Sequence, residues 1–418
     1  MERMLISHNR HWEAPYEVGY QRKYTAELLE SLTKKHITVL RGIRRSGKST
    51  LMKIMINHLR TSTASGEILY LNLDDPYFMP VSKEPDKLYE VITLAEKLTQ
   101  KKIKYLFLDE VQAVDGWERF VKAAYDTDMF AKIVLTGSNS MLLGTGLAKL
   151  LSGRYIDTQI YPLCFSEILD ISGITDRMAL IKQLPKVLSI LEEILKYGSF
   201  PEVYSAEEDD KRAILASYYE TILLKDCVSL GGIRDYKSFK ELSYYLLANM
   251  TSLYSYTSLS KALGIHDKTI KEYIGHIEHS YLAYELTQFA FSLKEQVNSK
   301  RKLYYADNGF YRLAFDFSPN KGRLFENLVA SELTKYGYEL YHFNSNSECD
   351  FIAKKGNDLY AVQACYELND INRAREVKSL STLPFKTNGK FIVTYNQTET
   401  TGDIRVIPFW DFFTDVVI

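Results

Sequence analysis

The sequence predicts an α/β fold whose first part is a parallel sheet sandwiched between helices. Three observations point there. Short apolar runs at 37–40, 68–71, 104–108, 132–136 and 155–160 alternate with helical stretches such as Trp117–Asp126, an order that gives parallel strands joined by right-handed crossovers. The third run, Lys104-Tyr105-Leu106-Phe107-Leu108, is almost continuously apolar, as a strand covered on both faces must be. The first run leads straight into Gly42-Ile43-Arg44-Arg45-Ser46-Gly47-Lys48-Ser49-Thr50, a glycine-bounded turn with helix-forming residues behind it.

That segment fits G-x-x-x-x-G-K-[ST] between a strand and a helix, the context in which the pattern is a phosphate-binding loop. Gly42 and Gly47 let the main chain approach a polyphosphate closely. The amides around Arg45, Ser46 and Thr50 and the positive end of the helix would wrap it. Lys48 would reach the β- and γ-phosphates, and Ser49 would hold Mg²⁺. The third run ends in Asp109-Glu110. Asp109 sits where a carboxylate can bind the Mg²⁺ water shell, and Glu110 where a base can polarise attacking water. The fourth run ends in Gly137-Ser138-Asn139, so Asn139 could help position that water, although Gly-Ser-Asn is also an ordinary turn. Before the fifth run stands Arg154, either an arginine finger acting in its own subunit or a neighbour's, or a surface residue that begins a strand. The extra strand after the acidic pair gives the order 5-1-4-3-2, a P-loop NTPase sandwich with nucleotide at the strands' carboxyl ends.

At 418 residues the chain has room for two to four domains with ample core. It is 46% apolar and 25% charged with net charge −1, so no global field draws it to nucleic acid or membrane, and any such contact must be a local patch. Cys164, Cys227, Cys349 and Cys365 lack C-x-x-C spacing, which argues against a zinc ribbon and a disulfide framework. Residues 1–10 contain no apolar h-region and no stretch approaches 18 uninterrupted apolar residues, so a cytoplasmic protein without membrane contact is expected. The 31 tyrosines suggest no function.

The P-loop with Arg44-Arg45 inside it, Leu108-Asp109-Glu110-Val111-Gln112, Leu135-Thr136-Gly137-Ser138 and Ser152-Gly153-Arg154 resemble a family of bacterial and archaeal AAA-superfamily ATPases. So do Pro162-Leu163-Cys164-Phe165-Ser166-Glu167, Gly198-Ser199-Phe200-Pro201-Glu202 and Lys225-Asp226. The resemblance spans nearly the whole chain. It implies ATP as the nucleotide and a C-terminal domain of unknown function similar to restriction-endonuclease folds, and it supplies no biological role.

Four domains are expected: a P-loop ATPase domain at 1–162, a helical lid at 163–234, a winged-helix domain at 235–303 and a restriction-endonuclease-like α/β domain at 304–418. In the lid, Ser166 is placed to cap a helix beginning near Glu167, and 185–197 and 218–228 have apolar residues at helical spacing. Lys225 and Asp226 read as a helix-end pair without chemistry. Residues 256–265 form a short helix and a glycine turn, after which Asp267 caps a second helix at 268–279 with Ile270, Ile274 and Ile277 inward. Strands at 282–286 and 302–305 would flank a basic wing tip at 294–302. On DNA, Lys268, Thr269, Lys271 and His276 would face the groove, while Lys300, Arg301 and Lys302 met phosphates. Asp267, Glu272 and Glu278 dilute that charge, and a purely structural role is the alternative.

In the last domain Glu326 on a helix and Asp350 opening a strand match two acids of a restriction-type nuclease. Gln363-Ala364-Cys365 stands where Glu-x-Lys would complete the site. An amide is a poorer Mg²⁺ ligand than a carboxylate, and a neutral thiol cannot replace a lysine cation, so the nuclease-like site reads as degenerate. Arg373, Arg375 and Lys378 give the following helix a modest basic face. The expected function is Mg²⁺-dependent ATP hydrolysis that drives rearrangement of the C-terminal domains, with DNA as a further partner. The alternatives are a slow nucleotide-dependent switch or scaffold, and an ATP-dependent nuclease. A homo-oligomer is required if Arg154 acts in trans.

Overall fold

The computed structural model describes residues 1–140, 151–314, 320–345 and 347–416. The chain forms two compact units, Met1–Tyr161 and Pro162–Ile418.

In the first unit, strands β1 (Ile37–Arg41), β2 (Ile68–Asn72), β3 (Tyr105–Asp109), β4 (Lys132–Gly137) and β5 (Tyr155–Gln159) make one sheet in the order β2-β3-β4-β1-β5. All four pairings are parallel, so the expected order is present. Alternation along the strands explains their unbroken apolarity. Val39, Leu69, Leu71, Leu106, Leu108, Ile133 and Leu135 enter one core with the helices Lys87–Thr99 and Trp117–Asp126. Leu40, Ile68, Tyr70, Phe107 and Val134 enter a second core under the helix Lys48–Leu59. Both faces are therefore covered, and the strand ends converge on the two edges of the sheet. Lys132 opens β4 yet is buried. Its ammonium donates to the carbonyls of Ser31, Lys34 and His36 at 2.6, 3.1 and 2.6 Å, capping the helix Thr25–Ser31.

The second unit opens with helices. The first of them, Phe165–Ile171, is capped by Cys164 and not by Ser166: the Cys164 N–H donates to Glu167 Oε2 at 2.9 Å in a capping box. Gly198, Ser199 and Pro201 have a structural role here. Ser199 donates its N–H and its hydroxyl to the buried Asp307 at 2.7 and 3.1 Å. A Cβ on Gly198 would fall 1.6 Å from that carboxylate, so only glycine fits. The segment expected as a lid is thus built into the second unit. Asp226 lies buried in a π-helix, Ile222–Ser229, rather than at a helix end.

Further on, the helices Tyr256–Leu263 and Asp267–His279 meet at Gly264, whose φ of 69° closes the first of them. His266, not Asp267, is the N-cap. An antiparallel hairpin follows, β6 (Ala283–Leu286) with β7 (Lys302–Tyr305), and a short helix, Leu293–Asn298, lies in its connection. A six-stranded mixed sheet completes the unit, in the order β12-β13-β11-β10-β9-β8. Its strands are β8 (Glu339–Asn344), β9 (Glu348–Lys355), β10 (Asp358–Ala364), β11 (Gly389–Thr394), β12 (Glu399–Thr401) and β13 (Ile404–Pro408). Among the described residues, no helix is long and apolar enough to cross a membrane.

One buried side chain makes the second unit acid-sensitive. His342 on β8 donates Nε2–H to the Lys300 carbonyl at 2.9 Å, while its buried Nδ1 has no partner. Burial pushes its pKa down to about 4. Below the unfolded value, near 6.5, the unfolded chain binds the proton first, so stability is full above that pH and is lost as pH falls towards 4. The expected loss from this group is about 2 kcal/mol between pH 6.5 and pH 5. Urea unfolding of wild type and His342→Gln at pH 7 and pH 5 checks it. A variant with the same acid-dependent loss as wild type would refute the assignment.

Candidate functional site

The loop joining β1 to the helix Lys48–Leu59 is shaped by its glycines. Gly42 has φ 141°, and a Cβ there would lie 2.1 Å from the Ile160 carbonyl. Gly47 has φ 101°, and its Cβ would approach an Arg22 nitrogen to 3.0 Å. Arg45 between them is exposed and left-handed at φ 70°. As N-cap of the helix, Gly47 offers no side chain to its first amides, which leaves donors at a positive helix end. The Lys48 ammonium is buried against the loop and donates to Gly42 and Ile43 carbonyls at 2.9 and 3.0 Å. Ser46 holds a buried hydroxyl with no hydrogen-bond partner. Ser49 and Thr50 are half-buried on the first helical turn.

The two acids lie at the same, carboxyl edge of the sheet. Asp109 ends β3 and is buried. Its Oδ2 accepts from the Tyr70 hydroxyl at 2.6 Å, and its Oδ1 accepts from the Thr136 hydroxyl. Thr136 in turn accepts from the Glu110 N–H at 2.9 Å. Glu110 takes a left-handed φ of 55°, a conformation costly for a non-glycine residue and concentrated at functional sites. Its Oε2 accepts from Gln112 Nε2 and, at 3.2 Å, from Ser138 Oγ, and an Arg44 nitrogen lies 3.9 Å away. Asn139 is buried two residues beyond the end of β4, and it is Ser138 that donates to Glu110. Tyr70, Gln112, Thr136 and Ser138 surround the two acids, and none of them was assigned a role of its own from the sequence. All but Tyr70 stand within the acidic or Thr-Gly-Ser-Asn runs, which was the available signal.

Arg154 does not join this site within its own subunit. It precedes β5, which runs parallel to β1 with Tyr155 opposite Ile37, and its carbonyl accepts from the Ile37 N–H at 2.9 Å. That is the amino edge of the sheet, about 16 Å along a five-residue strand from the phosphate loop. Its Nε pairs with Asp126 at 2.9 Å.

In the second unit the basic tip is only partly available. Lys268, Lys271 and Lys300 are exposed. Arg301 is not: its Nε is paired with Glu285 at 3.0 Å and its guanidinium lies over the Tyr256 ring. His276 is half-buried with its Nε2 enclosed and unpartnered, not outermost. Lys302 departs furthest from expectation. Its side chain is buried on β7, and its ammonium reaches Glu326 at 3.0 Å, Asp350 at 3.3 Å and Glu348 at 3.4 Å. Glu326, Asp350 and Gln363, the residues expected at a degenerate nuclease-like site, share a cavity of about 630 Å³ with it. There the Asp350 N–H donates to Gln363 Oε1 at 3.2 Å, and the Tyr304 hydroxyl donates to Glu326 at 2.7 Å. Burial, then Asp350, pushes Glu326 up to about 7. Cys365 instead joins the apolar core, and burial pushes its thiol up to about 12.

Residues 34–169 match the model of an AAA domain. Residues 188–321 and 321–412 match two domains of unknown function, DUF8612 and DUF4143. An uncharacterised protein of Haemophilus influenzae is 33% identical over 407 residues, covering 94% of this chain and 98% of that protein. An uncharacterised protein of Methanocaldococcus jannaschii is 33% identical over 400 residues, covering 90% and 87%. Among solved structures, the Aeropyrum pernix ORC1 protein in complex with DNA overlaps 77% of this chain and 96% of that one at 12% identity, with a TM-score of 0.33. AMPPCP-bound DnaA from Aquifex aeolicus overlaps 63% and 89% at 16% identity, with a TM-score of 0.29. Both overlaps are too loose to carry an argument. The full-length relatives settle the matter of kinship: this chain, with an AAA domain near one end and a DUF4143 domain near the other, belongs to the same protein family as those uncharacterised bacterial and archaeal proteins.

Proposed function

We propose that the first unit binds Mg-ATP at the loop 42–50 and hydrolyses it, and that turnover rearranges the second unit. One observation carries the reading. A buried ammonium, an orphaned buried hydroxyl on Ser46 and uncapped helix amides lie in a loop where Gly42 leaves no room for a Cβ and Gly47 takes a positive φ. Such a cradle gathers donors and positive charge at one helix end, and a polyphosphate supplies acceptors that match them. The adenine specificity rests on the AAA-domain match.

Each residue then has a distinct part. The amides from Arg45 to Thr50 bind phosphate oxygens, and Lys48 exchanges its two loop carbonyls for the β- and γ-phosphates. Ser49 and Asp109 would hold Mg²⁺, which when bound neutralises phosphate charge. Tyr70 and Thr136 fix the Asp109 carboxylate in one orientation. Glu110 takes the proton of the attacking water, with Ser138 and Asn139 beside it. Beyond 162, the divisions 163–234, 235–303 and 304–418 are proposed as the parts that move. DNA is given no part here: of Lys268, Lys271, Lys300, Arg301 and Lys302, the first three are exposed, with Asp267 and Glu272 among them.

Calorimetry tests the reading. Wild-type protein is expected to give a binding isotherm with Mg-ATP, and Lys48→Ala to bind about 100-fold more weakly, the loss of charge-assisted bonds worth about 3 kcal/mol. Identical isotherms from two well-folded proteins, or none from wild type, would overturn it.

A further inference from the structure

Arg22 lies in the irregular segment before the helix Thr25–Ser31, and it is buried at 7% exposure. Its guanidinium donates Nη1–H to the Ser46 carbonyl and Nη2–H to the Tyr161 carbonyl, both at 2.8 Å. The same group lies over the Tyr24 ring, 5.4 Å from its centroid. Tyr24 in turn accepts the Tyr161 N–H at 3.3 Å. Arg22 and Tyr24 thus hold both main-chain groups of Tyr161, the residue that ends the first unit, and one of them also grips the phosphate loop.

The grip has a geometric consequence. In a trans peptide the carbonyl and the following N–H point in opposite directions, and no cis bond occurs among the described residues. Holding the Ser46 oxygen towards Arg22 therefore turns the Gly47 N–H the other way, into the cradle. Gly47 itself leaves room for the guanidinium, since a Cβ there would press on Nη1 at 3.0 Å. A buried cation whose donors serve main-chain carbonyls is costly to maintain, and here it orients a single amide plane in the loop.

Building on the nucleotide reading above, we propose that Arg22 is a positioning residue for the triphosphate. It fixes the Ser46–Gly47 peptide so that the Gly47 amide donates to a phosphate oxygen, and it ties that peptide to the chain leaving β5. Arginine suits the place because its planar fork sends separate nitrogens to the two carbonyls while its face lies over the Tyr24 ring, a combination that a lysine point charge does not reproduce.

The test uses the full chain and a non-hydrolysable ATP analogue, AMPPNP with Mg²⁺, titrated by calorimetry into wild type, Arg22→Ala and Arg22→Lys. The Kd is expected to rise at least about tenfold in Arg22→Ala, the loss of roughly one charge-assisted bond. Arg22→Lys should recover only part of that. Methylguanidinium in solution should restore affinity to Arg22→Ala and leave wild type unchanged, a rescue that a general loss of folding would not show. Equal Kd values in wild type and Arg22→Ala would overturn the inference. So would a weakened Arg22→Ala that methylguanidinium fails to rescue. Absence of binding by wild type is a different result, since it removes the nucleotide reading itself.

Discussion

Glu110→Gln is expected to bind Mg-ATP within about threefold of wild type while its turnover falls about 10²- to 10⁴-fold, the range of a lost general base. The amide keeps the size of the carboxyl and can still meet Ser138 and Gln112, so the loop and Lys48 are untouched. What it loses is the ability to take a proton. In the structure the Glu110 carboxylate is engaged by Gln112 and Ser138 with Arg44 at 3.9 Å. Those contacts all fall on Oε2, so an attacking water can approach the carboxylate at Oε1. The measurement is single-turnover ATP hydrolysis beside equilibrium binding. Should both proteins hydrolyse at one low rate, Glu110 is no base, and the chain is better described as a nucleotide-dependent switch. Should binding fall with turnover, the residue shapes the site rather than the chemistry.

How far the sequence reached depends on what each feature needs. The strands of the first unit are buried on both faces, so their identity is written in consecutive residues, and the strand order followed from that. The phosphate loop is local too: its glycines, lysine and serine act within nine positions. The partners of Asp109 are not local. Tyr70 reaches it from the neighbouring strand, and Thr136 is 27 positions away along the chain. Of the readings open for Arg154, its own subunit gives the arginine that begins a strand, because β5 runs parallel to β1 and the residue before it lies at the amino end; a role in a neighbouring subunit depends on an assembly that one chain's residues do not encode locally. Lys302 reads as a wing lysine. Its neighbours Lys300 and Arg301 suggest an exposed basic tip, yet alternation along β7 and the acids 24 and 48 residues onward turn it inward. Charge at a hairpin's base carries no signal of which face it will occupy.

That inward turn makes Lys302 a sensitive charge in the second unit. Its side chain is 5% exposed and faces three carboxylates. Burial alone would lower its pKa, and Asp350, Glu326 and Glu348 together outweigh that and hold it protonated. Lys302→Met fills the space and removes the cation, leaving buried carboxylates uncompensated, so a loss of about 3–5 kcal/mol is expected at neutral pH. The pH dependence gives the assignment its distinguishing mark. Glu326 already titrates near 7, its pKa raised by burial and Asp350, and without Lys302 it must rise further. The unfolded chain releases that proton near pH 4.5, the folded variant only above 7, so in between the unfolded state binds fewer protons and stability falls as pH rises. The difference between Lys302→Met and wild type should therefore be smaller at pH 5 than at pH 8, as read by urea unfolding at both. Adding Glu326→Gln, which removes one of the stranded charges, should recover part of the loss at pH 8. A deficit that is equal at the two pH values, or below about 1 kcal/mol at both, would show that the ammonium is not what neutralises this cluster.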